Sequence, residues 1–154
     1  LQPSPRPLGA SPCVLRGEDA AVPGDAPTLD DAYLTQERED LGLDVLRQLL
    51  GLFRQAAGAS AASLHGAAQA ADTEQIRRTA HQLRSAASNL GLVRVMQACR
   101  RLEDAVREET LTAAQRPVLI GQLLQSLSEG TEALERWLDA PGQGGQDAAL
   151  SASR

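Results

Sequence analysis

Ile76-Arg-Arg-Thr-Ala-His-Gln-Leu-Arg-Ser-Ala-Ala-Ser-Asn-Leu90 is the stretch that decides the fold class. Within it Ile76, Ala80, Leu83, Ala87 and Leu90 recur at steps of four, three, four and three, the apolar seam of an α-helix packed into a bundle. His81 falls off that seam. Arg77, His81, Arg84, Ser85 and Ser88 share the outward face, so an imidazole is presented to a partner instead of to the core. Ahead of the stretch, Asp72 is placed to cap the helix, with Gln75 three residues on to complete a capping box. The helix is expected to run to about Asn89, where Gly91 terminates or bends it.

The same period continues outward in both directions. Leu92, Val95, Met96, Cys99, Leu102 and Val106 trace the seam of the next helix, which a short connection makes an antiparallel neighbour. Upstream, a helix from about Leu41 to Ala70 turns Leu46, Leu49, Phe53, Ser60 and Leu64 inward, and its Ala-, Ser- and Gly-rich second half invites close approach of a neighbour. Downstream, Thr112 caps a last helix with Ile120, Leu123, Leu127, Leu134 and Leu138 as its stripe and Trp137 near its end. A short helix from Leu29 to about Thr35, with Thr28 as N-cap, is expected to cover one end. The fold class is therefore all-α: an antiparallel up-down four-helix bundle with a short N-terminal capping helix, spanning residues 28–140.

Residues 1–27 contain six of the eight prolines among Gly, Ser and Ala and read as a linker, while Pro141 stops the last helix and 142–154 read as a disordered tail. The chain begins at Leu1 instead of Met, which suggests a piece excised from a longer protein. No run of eighteen apolar residues occurs, so no membrane span is expected. A cytoplasmic module is expected, with no direct membrane contact, from a parent anchored in the inner membrane.

With three aromatics and 42% apolar residues carried by Ala, Leu and Val, the composition favours close-packed helices over sheets. A net charge of −5 speaks against a general nucleic-acid binder. The charge is uneven, however. Residues 17–44 hold nine acids against one Arg, whereas residues 73–107 hold seven Arg against three acids, and the His81 strip lies in the positive part. That suits an anionic ligand or an acidic protein partner. All fifteen basic residues are Arg. Cys13 and Cys99 are too far apart for a disulfide framework or a metal-ligand spacing, and Cys99 reads as a small buried hydrophobe.

Of the two histidines, His65 lies in an Ala- and Gly-rich stretch with nothing nearby to orient it. His81 differs. An exposed imidazole has a reference pKa of about 6.5, and Arg77 and Arg84 beside it favour the neutral ring, leaving a nitrogen free as a nucleophile. Were that nitrogen to take a phosphoryl group, Arg84 would be placed to pair with its oxygens and Ser85 and Ser88 to donate hydrogen bonds while keeping the surface low.

The segment Thr79-Ala-His-Gln-Leu-Arg-Ser-Ala-Ala-Ser-Asn-Leu-Gly91 resembles the motif of histidine phosphotransfer domains, Ala-His-x-Leu-Lys-Gly followed by small residues and Leu-Gly. Leu49, Leu50, Phe53, Leu64, Ala67, Ala68 and Asp72 before it, and Cys99, Leu102 and Glu103 after it, extend the likeness over residues 29–139. The resemblance implies that His81 is the phosphorylated residue and Arg84 the basic residue that steadies the phosphate, and Gly91 matches the glycine after the motif. Arg77, Gln82, Ser85, Ser88 and Gly91 join Arg84 as candidates for contact with phosphate or receiver. Two departures stand out: Arg84 replaces the commoner Lys, and Ser85 the commoner Gly.

What the family implies is a phosphorelay intermediate that takes a phosphoryl group from a receiver-domain aspartate and passes it to another receiver. Response-regulator receiver domains are the implied partners, the isolated domain is expected to be monomeric, and Mg²⁺ would belong to the receiver. No Gly-rich phosphate loop with an adjoining Lys and no spaced acids surround His81, so no kinase activity, cofactor or metal site of its own is expected. The lead-in from Leu29 through Leu43 resembles the phosphotransfer modules of hybrid sensor kinases of the trimethylamine-N-oxide respiration type. Two other readings compete: a helical interaction module without covalent chemistry, and a hydrolase using Ser85 or Ser88 with His81, for which no nucleophile elbow is visible.

Overall fold

The computed structural model describes residues 26–140, so the Pro-rich lead through Asp25 with Cys13, and the tail from Pro141, lie outside the described residues. Five helices follow in order: α1 (Asp31–Leu41), α2 (Leu43–Gln69), α3 (Thr73–Ser88), α4 (Val93–Arg107) and α5 (Gln115–Asp139). α2 packs on α3, α3 on α4, α4 on α5 and α5 back on α2, which closes an up-down four-helix bundle, with α1 laid against α2. None of these helices is long and apolar enough to cross a membrane.

The seam that opened the sequence is the core of α3. Ile76, Ala80, Leu83, Ala87 and Leu90 are all buried, and they meet Leu92, Val95, Cys99 and Leu102 of the α4 side with Leu123, Leu127 and Leu134 of α5. Each fully buried Leu or Ile contributes about 1.5–3 kcal/mol relative to exposure, so this stripe fixes which face of α3 is left for solvent. In α2, Leu46, Phe53 and Leu64 are buried as expected, but Leu50 takes the core position beside them and Leu49 is only partly covered. The Gly51, Gly58 and Gly66 positions of α2 face open space, so close helix approach is not what they serve. Close approach occurs instead at Gly130 of α5, where a side chain would stand 3.3 Å from Val95.

Local signals set the helix ends, with four corrections. Asp72 caps α3 by accepting the Gln75 amide hydrogen at 3.1 Å, but the Gln75 side chain does not reach back. It donates to Ser63 Oγ at 3.0 Å and lies 3.2 Å from Thr79 Oγ1, joining α2 to α3, so the expected capping box is only half formed. The first helix is longer than the expected Leu29–Thr35 and is capped by Asp30, not Thr28. Residues 28–30 are instead drawn out along the α3–α4 turn: the Val93 amide donates to the Thr28 carbonyl at 3.1 Å and the Asp30 amide to the Gly91 carbonyl at 2.9 Å. Helix α1 then continues until Gly42, whose positive φ of 92° separates it from α2. The residue at the N-cap of α5 is Ala114, not Thr112, although Thr112 Oγ1 accepts the Gln115 amide hydrogen at 3.1 Å just ahead of the helix.

Candidate functional site

α3 carries His81 at mid-length, 58% exposed, between the capped Thr73 end and the turn at Gly91. Beneath it lies a residue of α4 that was not singled out for a role in the sequence. The Glu103 side chain is 8% exposed, and its Oε1 is 3.0 Å from His81 Nδ1. Arg84, one turn on from the histidine, donates from Nε to Glu103 Oε2 at 2.6 Å and reaches Oε1 with Nη2 at 3.4 Å. One carboxylate thus binds both the imidazole and the guanidinium.

Burial alone would raise the Glu103 carboxyl, but hydrogen bonds from Arg84 and His81, with their charges, outweigh it and hold the group below its ordinary 4.5. The Arg84 guanidinium is correspondingly raised by its hydrogen bond to Glu103. An ionised carboxylate only accepts, so the hydrogen of the His81–Glu103 bond sits on Nδ1. The Arg84 Nη2 contact with Nδ1, at 3.4 Å, is then a close approach and not a hydrogen bond. In the neutral ring Nε2 then keeps its lone pair, on the side of the ring away from Glu103. This arrangement can present a nucleophilic nitrogen at a surface without any metal ligand set, and among the described residues no three of His, Cys, Asp and Glu gather into one.

The other sequence candidates divide. Ser85 and Gln82 are exposed on the same helix. Ser88 is exposed too, but its hydroxyl donates to the Ser85 carbonyl at 2.8 Å and so is spent on the helix itself. Arg77 turns away from His81 and grips Glu74, with Nη2 at 2.6 Å and Nε at 3.2 Å. The expectation that Arg77 and Arg84 act directly on the ring is therefore corrected: each guanidinium is paired with a carboxylate, and the Glu103 anion itself lies 3.0 Å from the imidazole.

Gly91 is not at the surface of this site. It is buried with a φ of 63°, and a Cβ there would lie 3.2 Å from the Tyr33 ring, so its place is under α1 and not against a phosphate. Tyr33 completes that junction, its hydroxyl 3.2 Å from the Asn89 carbonyl oxygen. Cys99 is fully buried, and burial pushes its thiol up to about 12, in line with a core role. His65 is exposed on α2.

Glu103 is among the residues that carry the family likeness, and one further signal bears on it. It is an acid directly after the seam residue Leu102, where an unpaired carboxylate would be costly to bury. Nothing local says which cation it pairs with.

A family model described as Hpt domain matches residues 48–140. Sensor protein TorS of Escherichia coli (strain K12) is 30% identical over 111 residues, covering 72% of this chain and 11% of that protein, so the chain spans about a tenth of this relative's length. Among solved structures, the crystal structure of histidine-containing phosphotransfer protein B (HptB) from Pseudomonas aeruginosa PAO1 matches with a TM-score of 0.66 at 30% identity, covering 74% of this chain and 96% of that one.

Proposed function

The chain belongs to the Hpt domain family, and on that premise we propose that it is a phosphorelay intermediate in two-component signal transduction whose phosphoryl group is carried on Nε2 of His81. The observation that carries this reading is the contact between His81 Nδ1 and the buried Glu103 carboxylate on a half-exposed imidazole, because it places the single hydrogen of the neutral ring on Nδ1 and leaves Nε2 as its nucleophilic nitrogen. In the forward step the Nε2 lone pair forms a bond to phosphorus as the acyl phosphate O–P bond of a receiver aspartate breaks, its electron pair returning to the aspartate carboxylate. The ring becomes a phosphoimidazolium, and Glu103 offsets the positive charge through the shared Nδ1 hydrogen. Reversal of the step onto a second receiver aspartate regenerates the neutral ring.

The partners are response-regulator receiver domains, which supply the Mg²⁺ and the acidic pocket; Ser85 and Ser88 keep the helix surface low for their approach. Positive charge on α3 and α4 complements such a pocket. The chain is a carrier without kinase activity of its own, a cytoplasmic module of a longer sensor kinase, and monomeric as an isolated domain. Its folded unit is residues 28–140, with 1–27 as tether.

The test is transfer of phosphate from a phosphorylated receiver domain. Acid-labile, base-stable label is expected on the wild-type chain and none on His81→Gln. Label that persists undiminished in that variant would remove His81 from the reaction.

A further inference from the structure

The two arginines flanking His81 on α3 are held in very different ways. Arg84 is 31% exposed and binds Glu103, itself 8% exposed, through Nε and Nη2, on the Nδ1 side of the imidazole. Swinging it toward a group on Nε2 would strip a buried carboxylate of its main partner, which is strongly destabilising. Arg77 lies one turn before His81, and its partner Glu74 is 57% exposed, a pairing of adjacent turns at the surface that contributes little to stability. Arg77 also feels the Glu103 charge, so it belongs to the same electrostatic neighbourhood.

We propose that these arginines divide the work: Arg84 stays with Glu103 in both states as a positioning residue, and Arg77 leaves Glu74 to bind the phosphoryl oxygens on His81. The proposal rests on His81 being the phosphorylated residue. It reassigns the phosphate-steadying role from Arg84, where the sequence motif puts it, to the cation that can move at least cost. A dianionic phosphoryl group is a stronger partner for a guanidinium than one exposed carboxylate, so the exchange at Arg77 is favourable. Glu74, fully hydrated when released, needs no replacement partner.

The experiment uses the whole chain with arginine ¹⁵N-labelled and potassium phosphoramidate as the small phosphoryl donor, ammonia being the leaving group. On phosphorylation the Arg77 Nε–H resonance is expected to shift and the Arg84 Nε–H resonance to stay. In a ³¹P titration, Arg77→Gln should move the midpoint of the phosphoryl group's second ionisation up by roughly half a pH unit, because a neighbouring cation favours the dianion. Arg77 is at the surface, so this variant should fold normally. Phosphohistidine that forms with Arg77 unmoved and Arg84 displaced, or a midpoint unchanged in Arg77→Gln, overturns the division of roles alone. Absence of phosphohistidine on His81 overturns the functional reading and this proposal with it.

Discussion

Glu103 Oε1 lies 3.0 Å from His81 Nδ1, across 22 positions of sequence and from one helix to the next. This single contact selects which ring nitrogen carries hydrogen and therefore which one can act as nucleophile. Long-range ¹H–¹⁵N NMR of the imidazole should show the Nδ1–H tautomer in the unphosphorylated protein. Glu103→Ala should lose that preference and react with phosphoramidate about tenfold more slowly, since groups that orient a reactive imidazole carry effects of this order. A tautomer unchanged in the variant would mean that Glu103 does not set it.

The same carboxylate gives stability a pH dependence of known sign. Glu103 is held below its ordinary 4.5, so its contribution is fully present above the unfolded-state value and is lost as pH falls through the lower folded-state value. The stability difference between wild type and Glu103→Gln should therefore be present at about pH 5 and shrink below about 4. Urea unfolding across that range measures it. A difference that did not shrink on acidification below about pH 4 would contradict the pairing with Arg84 and His81.

Two glycines should respond in opposite directions to alanine. Gly91→Ala meets a φ of 63° and the Tyr33 ring at 3.2 Å, and should cost about 1–3 kcal/mol. Gly58→Ala, at an exposed position in the middle of α2 with nothing within 4 Å, should stabilise by about 0.5–1 kcal/mol. Thermal melts of the two variants compare them directly.

Ser85 sits one turn after His81 on the exposed face of α3. A bulky residue there would stand in the way of a docking protein while leaving a small donor a path to the ring. Ser85→Leu should therefore slow transfer from a phosphorylated receiver much more than phosphorylation by phosphoramidate. Equal slowing of both would place the effect of Ser85 in the chemistry and not in docking.

Cys99 should resist alkylation. With its thiol pushed up to about 12 by burial, the thiolate is scarce at pH 8, and the side chain is shielded by the core. Mass spectrometry of the Cys99 peptide after iodoacetamide should find it unmodified in the native protein and modified in urea.

Much of this molecule is written along single helices. The seam Ile76–Ala80–Leu83–Ala87–Leu90 and the outward phase of His81 follow from the 3.6-residue period, which a chain cannot evade once it is helical, and Asp72 marks a start by chemistry local to one turn. Where a second segment intervened, local reading fell short. Thr28 has the chemistry of a cap, but residues 28–30 find backbone partners on the α3–α4 turn, so α1 starts at Asp31. Gln75 has the spacing of a capping box, but Ser63 and Thr79 take its side chain.

The candidate site divides along the same line. The sequence by itself determined that His81 is on the surface of a bundle helix with Arg84 and Ser85 beside it, because those residues share one helix and one period. Only the tertiary structure decided that Glu103 lies under the ring and takes Arg84, and that Gly91 serves the α1 junction. The physical reason is that contacts between helices depend on their relative rotation and axial offset, which the packing of the whole core sets and no local pattern encodes.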